Sequence, residues 1–164
     1  MSEFLLTATR TTDRVEDREG ADVAHAVNAF VDAVNRGDLD GAVAQLAPHA
    51  LHHGRVSNYR PGGVRLLFAM LRDVFPDLRL TIVDQHVDGH RVVSRIVATG
   101  THTGSFLGRP ATREPMVWQS VDIAEIDTDF ETDATYGKIL KRFWDLWGDP
   151  ALWKKIGFIP AVMC

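Results

Sequence analysis

Cysteine is almost absent from this sequence. The one cysteine, Cys164, is the last residue, so it can form no intrachain disulfide and is a poor candidate for a catalytic nucleophile. A metal site has no cysteine cluster to draw on.

Basic runs and long apolar runs are also absent. The 164 residues carry a formal net charge of -4, which argues against nucleic acid or an anionic membrane as the main partner. No apolar stretch is long enough to span a bilayer, and the opening segment MSEFLLTATR lacks the positive charge and apolar length of a signal peptide. We therefore expect a cytoplasmic protein with neither a nucleic-acid nor a membrane partner.

Signatures of metal, cofactor and triad chemistry are missing as well. His49, His52 and His53 are closely spaced, but neighbouring residues on a strand point to opposite faces, so they cannot converge on one ion. The sequence contains no glycine-rich phosphate loop and no serine in a nucleophile-elbow pattern. We therefore predict no metal site, and the sequence supports neither phosphoryl transfer nor hydrolysis by a catalytic triad.

The composition is that of one soluble domain. Hydrophobic residues make up 45% of the chain and charged residues 24%, which is ordinary for a globular protein. Residues 1–20 are polar, charged and without periodicity, which predicts a flexible N-terminal arm. We expect residues 21–164 to form a single domain.

Apolar residues with helical spacing predict three helices in the first half of the chain. The first ends at Gly37, the second is short and capped by Asp38, and the third ends before Pro76. Asp149 and Gly157 have the positions of a cap and a stop, which indicates a further short helix at the C-terminus.

After Pro76 the apolar period changes to two, which is typical of strands, and Asp88-Gly89 is a strong hairpin signal. Strands are predicted near 50–53, 78–82, 92–103, 116–126 and 139–147, and residues 57–63 are predicted to be a loop. Helices followed by four long strands in consecutive hairpins indicate an α+β fold, with the helices on one face of an antiparallel sheet.

The last predicted strand contains the segment KRFWDLW, in which a carboxylate lies among aromatic residues. If this segment is extended, Phe143, Asp145 and Trp147 share one face. The acid is then either solvated at a strand end or held in an apolar pocket with a raised pKa.

Three segments resemble the SnoaL-like polyketide cyclase family, and the resemblance extends over about residues 21–157. The segments are FPDLRLTI at 75–82, DGHRVVSRIVATGTHTGSFLG at 88–108 and GKILKRFWDLW at 137–147. The resemblance implies a cone-shaped, half-open antiparallel β-barrel of the nuclear-transport-factor-two type, packed by the three helices. It also implies a metal- and cofactor-free enzyme of secondary-metabolite (antibiotic) biosynthesis that closes rings on polyketide-type intermediates by aldol chemistry.

The family's base is the aspartate of a glutamate-histidine-tryptophan-aspartate strand. On this sequence that aspartate corresponds to Asp145 and the tryptophan to Trp144, while Arg142 and Phe143 replace the glutamate and the histidine. Loss of the histidine favours ether or pyran formation, epoxide opening or a shape-driven cycloaddition over aldol closure. A non-catalytic ligand carrier or dimerising scaffold is the alternative from another class.

Further residues are candidates for the same site. His53, the last residue of APHALHH, has the family's histidine position, and His102 lies in the GTHTG motif. Either of them, or Gln119, could stabilise the oxyanion that develops when Asp145 removes a proton. Trp118 is a candidate aromatic wall, Gln119 a candidate hydrogen-bond donor on the opposite face, and Tyr59 a residue that could reach the pocket mouth.

The predicted strands carry apolar residues on both faces. Val92 and Val93 are adjacent on one strand, and Val117 and Trp118 on the next. Because adjacent residues point to opposite faces, the outer face should also be buried, and we expect a homodimer with a symmetric interface.

Overall fold

The protein is described by a computed structural model over residues 24–53, 58–126 and 140–145, with the backbone alone at 126 and 140–145. The α+β class predicted from the sequence is confirmed. The predicted arm, the predicted C-terminal helix and Trp147 lie outside the described residues. The elements are α1 (24–36), α2 (Leu39–Val43), β1 (Leu46–His53), β2 (Asn58–Tyr59), α3 (Pro61–Val74), β3 (Arg79–Asp88), β4 (Arg91–Thr101), β5 (Pro115–Ile126) and β6 (Leu140–Asp145).

The ends of the helices follow from local chemistry. α1 ends at Gly37, whose φ of +76° is readily adopted only by glycine. Asp38 caps α2 by accepting a hydrogen bond of 2.9 Å from the Gly41 N–H. α3 begins at Pro61, although residues 57–63 were predicted to be a loop. Proline suits the first helical position because its fixed φ is already helical and its missing N–H is not needed there.

Aromatic contacts fix the helices on one face of the sheet. Phe30 of α1 packs edge-on against Phe68 of α3, with ring centroids 5.4 Å apart. Phe75, at the end of α3, packs against Trp118 of β5 at 5.1 Å. We call the helix-covered face of the sheet the inner face.

The sheet has six described strands in the order β2-β1-β6-β5-β4-β3. Strands β3 to β6 are consecutive antiparallel neighbours, as predicted, but β1 pairs with β6 in parallel. The order has two edges, β2 and β3, so the described strands form an open sheet, and the predicted cone-shaped, half-open barrel is not confirmed. The parallel pair joins segments about ninety residues apart, and local sequence patterns carry no signal for such a contact.

Strand β1 begins at Leu46, four residues before the predicted start at Ala50. The prediction relied on Pro48 as a breaker. The structure accommodates this proline because the register between β1 and β6 shifts between Leu46 and Leu51, and a proline is tolerated where ladder bonds are interrupted.

The inner face of β4 is now identified. Val92, Ser94, Ile96 and Ala98 are buried, and the residues between them are more exposed. Sequence periodicity separated these two faces without showing which of them was covered. The helices cover the face of Ser94.

Two glycines of the GTHTG motif explain how β4 meets α3. A Cβ at Gly100 would lie 2.9 Å from the Cβ of Phe75, and a Cβ at Gly104 would overlap the carbonyl oxygen of Asp73. The Gly104 N–H also donates a hydrogen bond of 3.0 Å to the Val74 carbonyl. At both glycines the backbone lies too close to the C-terminal end of α3 to leave room for a side chain. The two glycines of the motif therefore have a packing role.

Exposed valines lie on the outer face of the sheet, the face for which the sequence predicts a homodimer interface. Val117 is 60% exposed, Val83 44%, Val93 38% and Val121 37%. An apolar sheet face of this kind is typical of an interaction surface. We expect the protein to sediment at twice the chain mass at micromolar concentration, and the double variant Val117→Lys, Val121→Lys to sediment as a folded monomer. A clean monomer mass for the wild-type protein would contradict the dimer.

Candidate functional site

A row of polar residues crosses the inner face of the sheet. Gln85 of β3, Ser94 of β4, Asp122 of β5 and Asp145 of β6 are successive cross-strand partners. The Gln85 Nε2 donates a hydrogen bond to the Ser94 Oγ at 3.2 Å and another to the Oδ1 of Asn28, on α1, at 3.0 Å. We call Gln85, Ser94, Asp122 and Asp145 the polar row.

Asp122 is the unusual member of the polar row. It is only 5% exposed. Burial raises its pKa from 3.8 to about 7, although a hydrogen bond from Ser120 acts in the opposite direction. Its Oδ1 has no hydrogen-bond partner among the residues that the structure describes. The site therefore holds a carboxyl group that keeps its proton to a higher pH than an ordinary aspartate.

Asp145 is the backbone register partner of Asp122. The strand predicted for KRFWDLW is present over Leu140–Asp145, where Phe143 is paired with Ala124 and Trp144 with Ile123. Directly opposite residues of an antiparallel pair have Cα atoms about 4.5–5.5 Å apart and belong to the same face. Position 145 is thus on the face that carries the buried Asp122.

A buried histidine, His52, lies in the residue row next to the polar row, together with Ala124 and Phe143. His52 of β1 is 2% exposed and is the register partner of both Phe143 and Tyr59. Its ring centroid is 5.8 Å from that of Tyr59. Burial, with a smaller contribution from the neighbouring His53, lowers the pKa of His52 to about 4, so the imidazole is neutral at pH 7.

His53 occupies a different environment from the one predicted. It is half-buried, and its Nδ1 lies 3.2 Å from the Asn58 Oδ1 in an exposed contact. Alternation along β1 places His52 in phase with the buried Ala50 and places His53 out of phase with it. The histidine brought to the inner face is therefore His52.

His102 lies on the inner side but far from the polar row. It is fully buried, its Nδ1 is 3.1 Å from the Thr112 Oγ1, and its ring packs 5.7 Å from Phe75. Eight residues separate it from Ser94 along the chain, or about 25 Å at about 3.3 Å a residue. The structure therefore does not bring His102 to the polar row.

The two candidates on β5, Trp118 and Gln119, lie on opposite faces of the sheet. Trp118 is 2% exposed on the inner face, four residues or about 13 Å from Asp122. Gln119 is exposed on the outer face, so the structure does not bring it to the polar row. Neither inner-face candidate is next to Asp122, because Trp118 is four residues away along β5 and Tyr59, on β2, is separated from β5 by β1 and β6.

Sequence reasoning missed Asp122, Ser94 and His52. A signal for Asp122 existed, because it is in phase with Met116 and Trp118 on a strand of otherwise apolar inward positions. A carboxylate in phase with a buried stripe indicates either an exposed strand end or a functional acid.

Burial of these two titratable groups predicts opposite effects of pH on stability. The pKa of Asp122 in the folded state is above the usual value for aspartate. The contribution of Asp122 to the free energy of unfolding is therefore complete below about pH 4 and is lost as the pH rises to about 7. The folded-state pKa of His52 is below its usual 6.5, so its contribution is complete above that pH and is lost as the pH falls to about 4. Between about pH 4 and 6.5 the two effects oppose each other.

Asp122→Asn should separate these two effects. Between pH 5 and about 7 the wild-type protein loses stability as Asp122 loses its proton, by about 1.4 kcal/mol for each pH unit. The Asn variant has no such proton to lose, so from pH 5 to pH 8 its free energy of unfolding should rise by up to about 3 kcal/mol relative to that of the wild-type protein. Urea unfolding at both pH values measures this, with the exposed Asp84→Asn on β3 as the control. An equal difference from the wild-type protein at both pH values would show that the folded-state pKa of Asp122 is not raised.

No group of three or more histidine, cysteine, aspartate or glutamate residues in the described ranges could hold a metal ion. Among the helices that the structure describes, none is long and apolar enough to cross a membrane.

Comparison with known proteins gives one family match and many similar folds. The profile of the SnoaL-like polyketide cyclase family matches residues 24–130. AclR from Streptomyces galilaeus, a proposed hydroxylase, is 25% identical with a TM-score of 0.72, and the match covers 86% of this chain and 99% of AclR. TsrD from Streptomyces laurentii is 26% identical with a TM-score of 0.69, covering 85% of this chain and 97% of TsrD.

A third solved structure supports the fold alone. IdmH from Streptomyces antibioticus, a proposed polyketide cyclase, is 23% identical with a TM-score of 0.63, and the match covers 74% of this chain and 88% of IdmH. A search of curated proteins found no match.

Proposed function

This chain belongs to the SnoaL-like polyketide cyclase family, and from that premise we propose that it is a cofactor-independent enzyme that closes a ring on a polyketide-type intermediate, with Asp145 as its base. One observation carries the proposal: the register pairs Asp145 with the buried Asp122 on the helix-covered face. A carboxylate on that face is a stronger base than one in water, because low polarity disfavours its charged form.

Of the possible ring closures we propose the aldol reaction, because a carboxylate base and a polyketide chain support it directly, even though Phe143 replaces the family's histidine. Asp145 removes a proton from a carbon between two carbonyl groups, and the electron pair moves onto a carbonyl oxygen. The resulting enolate attacks a second carbonyl in the same molecule and forms the ring bond. Asp145 then returns its proton to the new alkoxide. Because both reacting groups belong to one folded substrate, orientation contributes roughly 7–11 kcal/mol toward the barrier.

The side chains near the polar row suit an apolar substrate with few polar groups. His52 on β1 and Tyr59 on β2 supply aromatic surface in the row of Ala124 and Phe143, which neighbours the polar row, and the imidazole is neutral. Ser94 and Gln85 are already hydrogen-bonded to each other. Such a lining, mostly apolar with a few placed polar groups, is typical of small-molecule sites.

Incubation with linear 1,3-dicarbonyl polyketide mimics tests this proposal. We expect a cyclised product whose mass equals that of the substrate, or is lower by one water, and whose formation requires no added metal or cofactor. Tight binding of the mimics without turnover would instead favour a ligand carrier.

Hydroxylation is a second candidate, favoured by the likeness to AclR. Mass spectrometry separates the two reactions, because hydroxylation adds one oxygen atom to the product and ring closure adds none. A product with added oxygen would replace the cyclase proposal.

A further inference from the structure

Asp122 is a second carboxyl group at the cross-strand position next to the proposed base. It is 5% exposed, and its strand neighbours on the inner face, Ser120 and Ala124, are buried too. A purely structural position of this kind is ordinarily filled by an apolar side chain, because burying a carboxyl group that is not fully hydrogen-bonded costs free energy.

The hydrogen bonds of Asp122 leave one oxygen available. Ser120 interacts with the carboxyl group, yet the Oδ1 has no hydrogen-bond partner among the described side chains and backbone. Ser94, on the other side, is engaged by Gln85 at 3.2 Å. An unsatisfied polar atom that is this deeply buried is expected to meet a ligand or a functional partner.

We propose that Asp122 is a second catalytic residue, a protonated carboxyl group that donates a hydrogen bond to the substrate oxygen on which negative charge develops while Asp145 removes the proton. This inference rests on the proposed function of Asp145. It places on the neighbouring strand a hydrogen-bond donor that Phe143, at the family's histidine position, cannot provide.

Electrostatics explains why the two carboxyl groups would have different roles. Two carboxylates at directly opposite positions repel each other, so one of them keeps its proton. The titratable groups that the register brings nearest to Asp122 are Asp145 on β6 and His52 on β1; its neighbours toward β4, β3 and α1 are Ser94, Gln85 and Asn28, which are uncharged. No cation in the described part of the row favours the ionised form, and the raised pKa of Asp122 agrees with this.

The proton balance of this step is simple. The substrate C–H bond breaks, its proton forms an O–H bond with Asp145, and the electron pair goes to the substrate oxygen. Asp122 keeps its proton and shares it in a hydrogen bond with that oxygen. It is unchanged when Asp145 returns its own proton after ring closure.

Carboxyl NMR tests the pairing without any substrate. With ¹³C-labelled aspartate, we expect the Asp122 signal to titrate well above the usual range for aspartate, and its midpoint to fall in Asp145→Asn, because a neighbouring negative charge is removed. Asp84→Asn, an exposed change on β3, should leave the midpoint unaltered. An Asp122 midpoint that does not change in Asp145→Asn would overturn the pairing.

Kinetics of matched variants tests the catalytic role. Asp122→Leu should lower kcat by about 10²–10³, the usual effect of removing one oxyanion donor. Asp122→Asn keeps a neutral donor and should remain within about tenfold of the wild-type enzyme. Equal damage by Asn and Leu would exclude a neutral donor, and a mild Asp122→Leu beside a damaging His52→Phe would assign the donor to His52. Full activity of Asp145→Asn would instead refute the proposed function itself.

Discussion

Asp145→Asn is expected to lower kcat/KM for ring closure by about 10²–10⁴, the range that one general acid–base group contributes. The substitution preserves the size of the side chain and removes its ability to accept a proton. KM should change little, since the amide fills the same space. Steady-state kinetics on a cyclising mimic gives the comparison.

The control for this experiment is Asp84→Asn, which removes a carboxylate from an exposed position of the neighbouring β3 strand. Its activity should equal that of the wild-type enzyme. If Asp145→Asn also retained full activity, ring closure would be driven by the shape of the site alone, or by another base.

Trp118→Ala should cost about 3–5 kcal/mol of unfolding free energy, the usual loss for a fully buried aromatic side chain. Trp118 is 2% exposed, and its ring lies 5.1 Å from Phe75, which in turn packs 5.7 Å from His102. Removing the indole leaves a cavity where the end of α3 meets the sheet. Urea unfolding at pH 7 measures the loss.

Val117→Ala is the matched control, because Val117 is the preceding residue on the same strand and is 60% exposed. It should change the unfolding free energy by less than about 0.5 kcal/mol if the free monomer is measured. A loss below about 1 kcal/mol for Trp118→Ala would mean that the indole lines an open pocket rather than the core.

Local periodicity predicted much of the fold. The turn at Gly89, whose φ is +55°, predicts the hairpin of β3 and β4. The alternation along β4 and β5 predicts both strands to within a few residues of their observed ends. The parallel pairing of β1 with β6 joins segments about ninety residues apart, and no local pattern encodes it. The pairing of β5 with β6 was predicted, but the register between Asp122 and Asp145 could not be read from the sequence, because no two-residue turn motif in residues 127–139 fixes it.

The candidate site was predicted only in part. The aromatic neighbours of Asp145 drew attention to that residue, whereas Asp122 lies in a strand whose period of two hides a single acid among apolar positions. The choice between His52 and His53 depended on which face of β1 is covered, and only the position of the helices decides that. The GTHTG motif suggested a functional His102, but Gly100 and Gly104 show that tight packing accounts for the motif.

The central claim, that Asp145 is a base acting on a carbon acid, is tested most directly by hydrogen exchange. The rate at which the protein exchanges the proton between the two carbonyl groups of a bound 1,3-dicarbonyl mimic with D₂O is measured by NMR, so that no ring closure is needed. The wild-type protein should catalyse this exchange, and Asp145→Asn should show only the background rate. Equal exchange rates for the two proteins, with the mimic bound to both, would contradict the account.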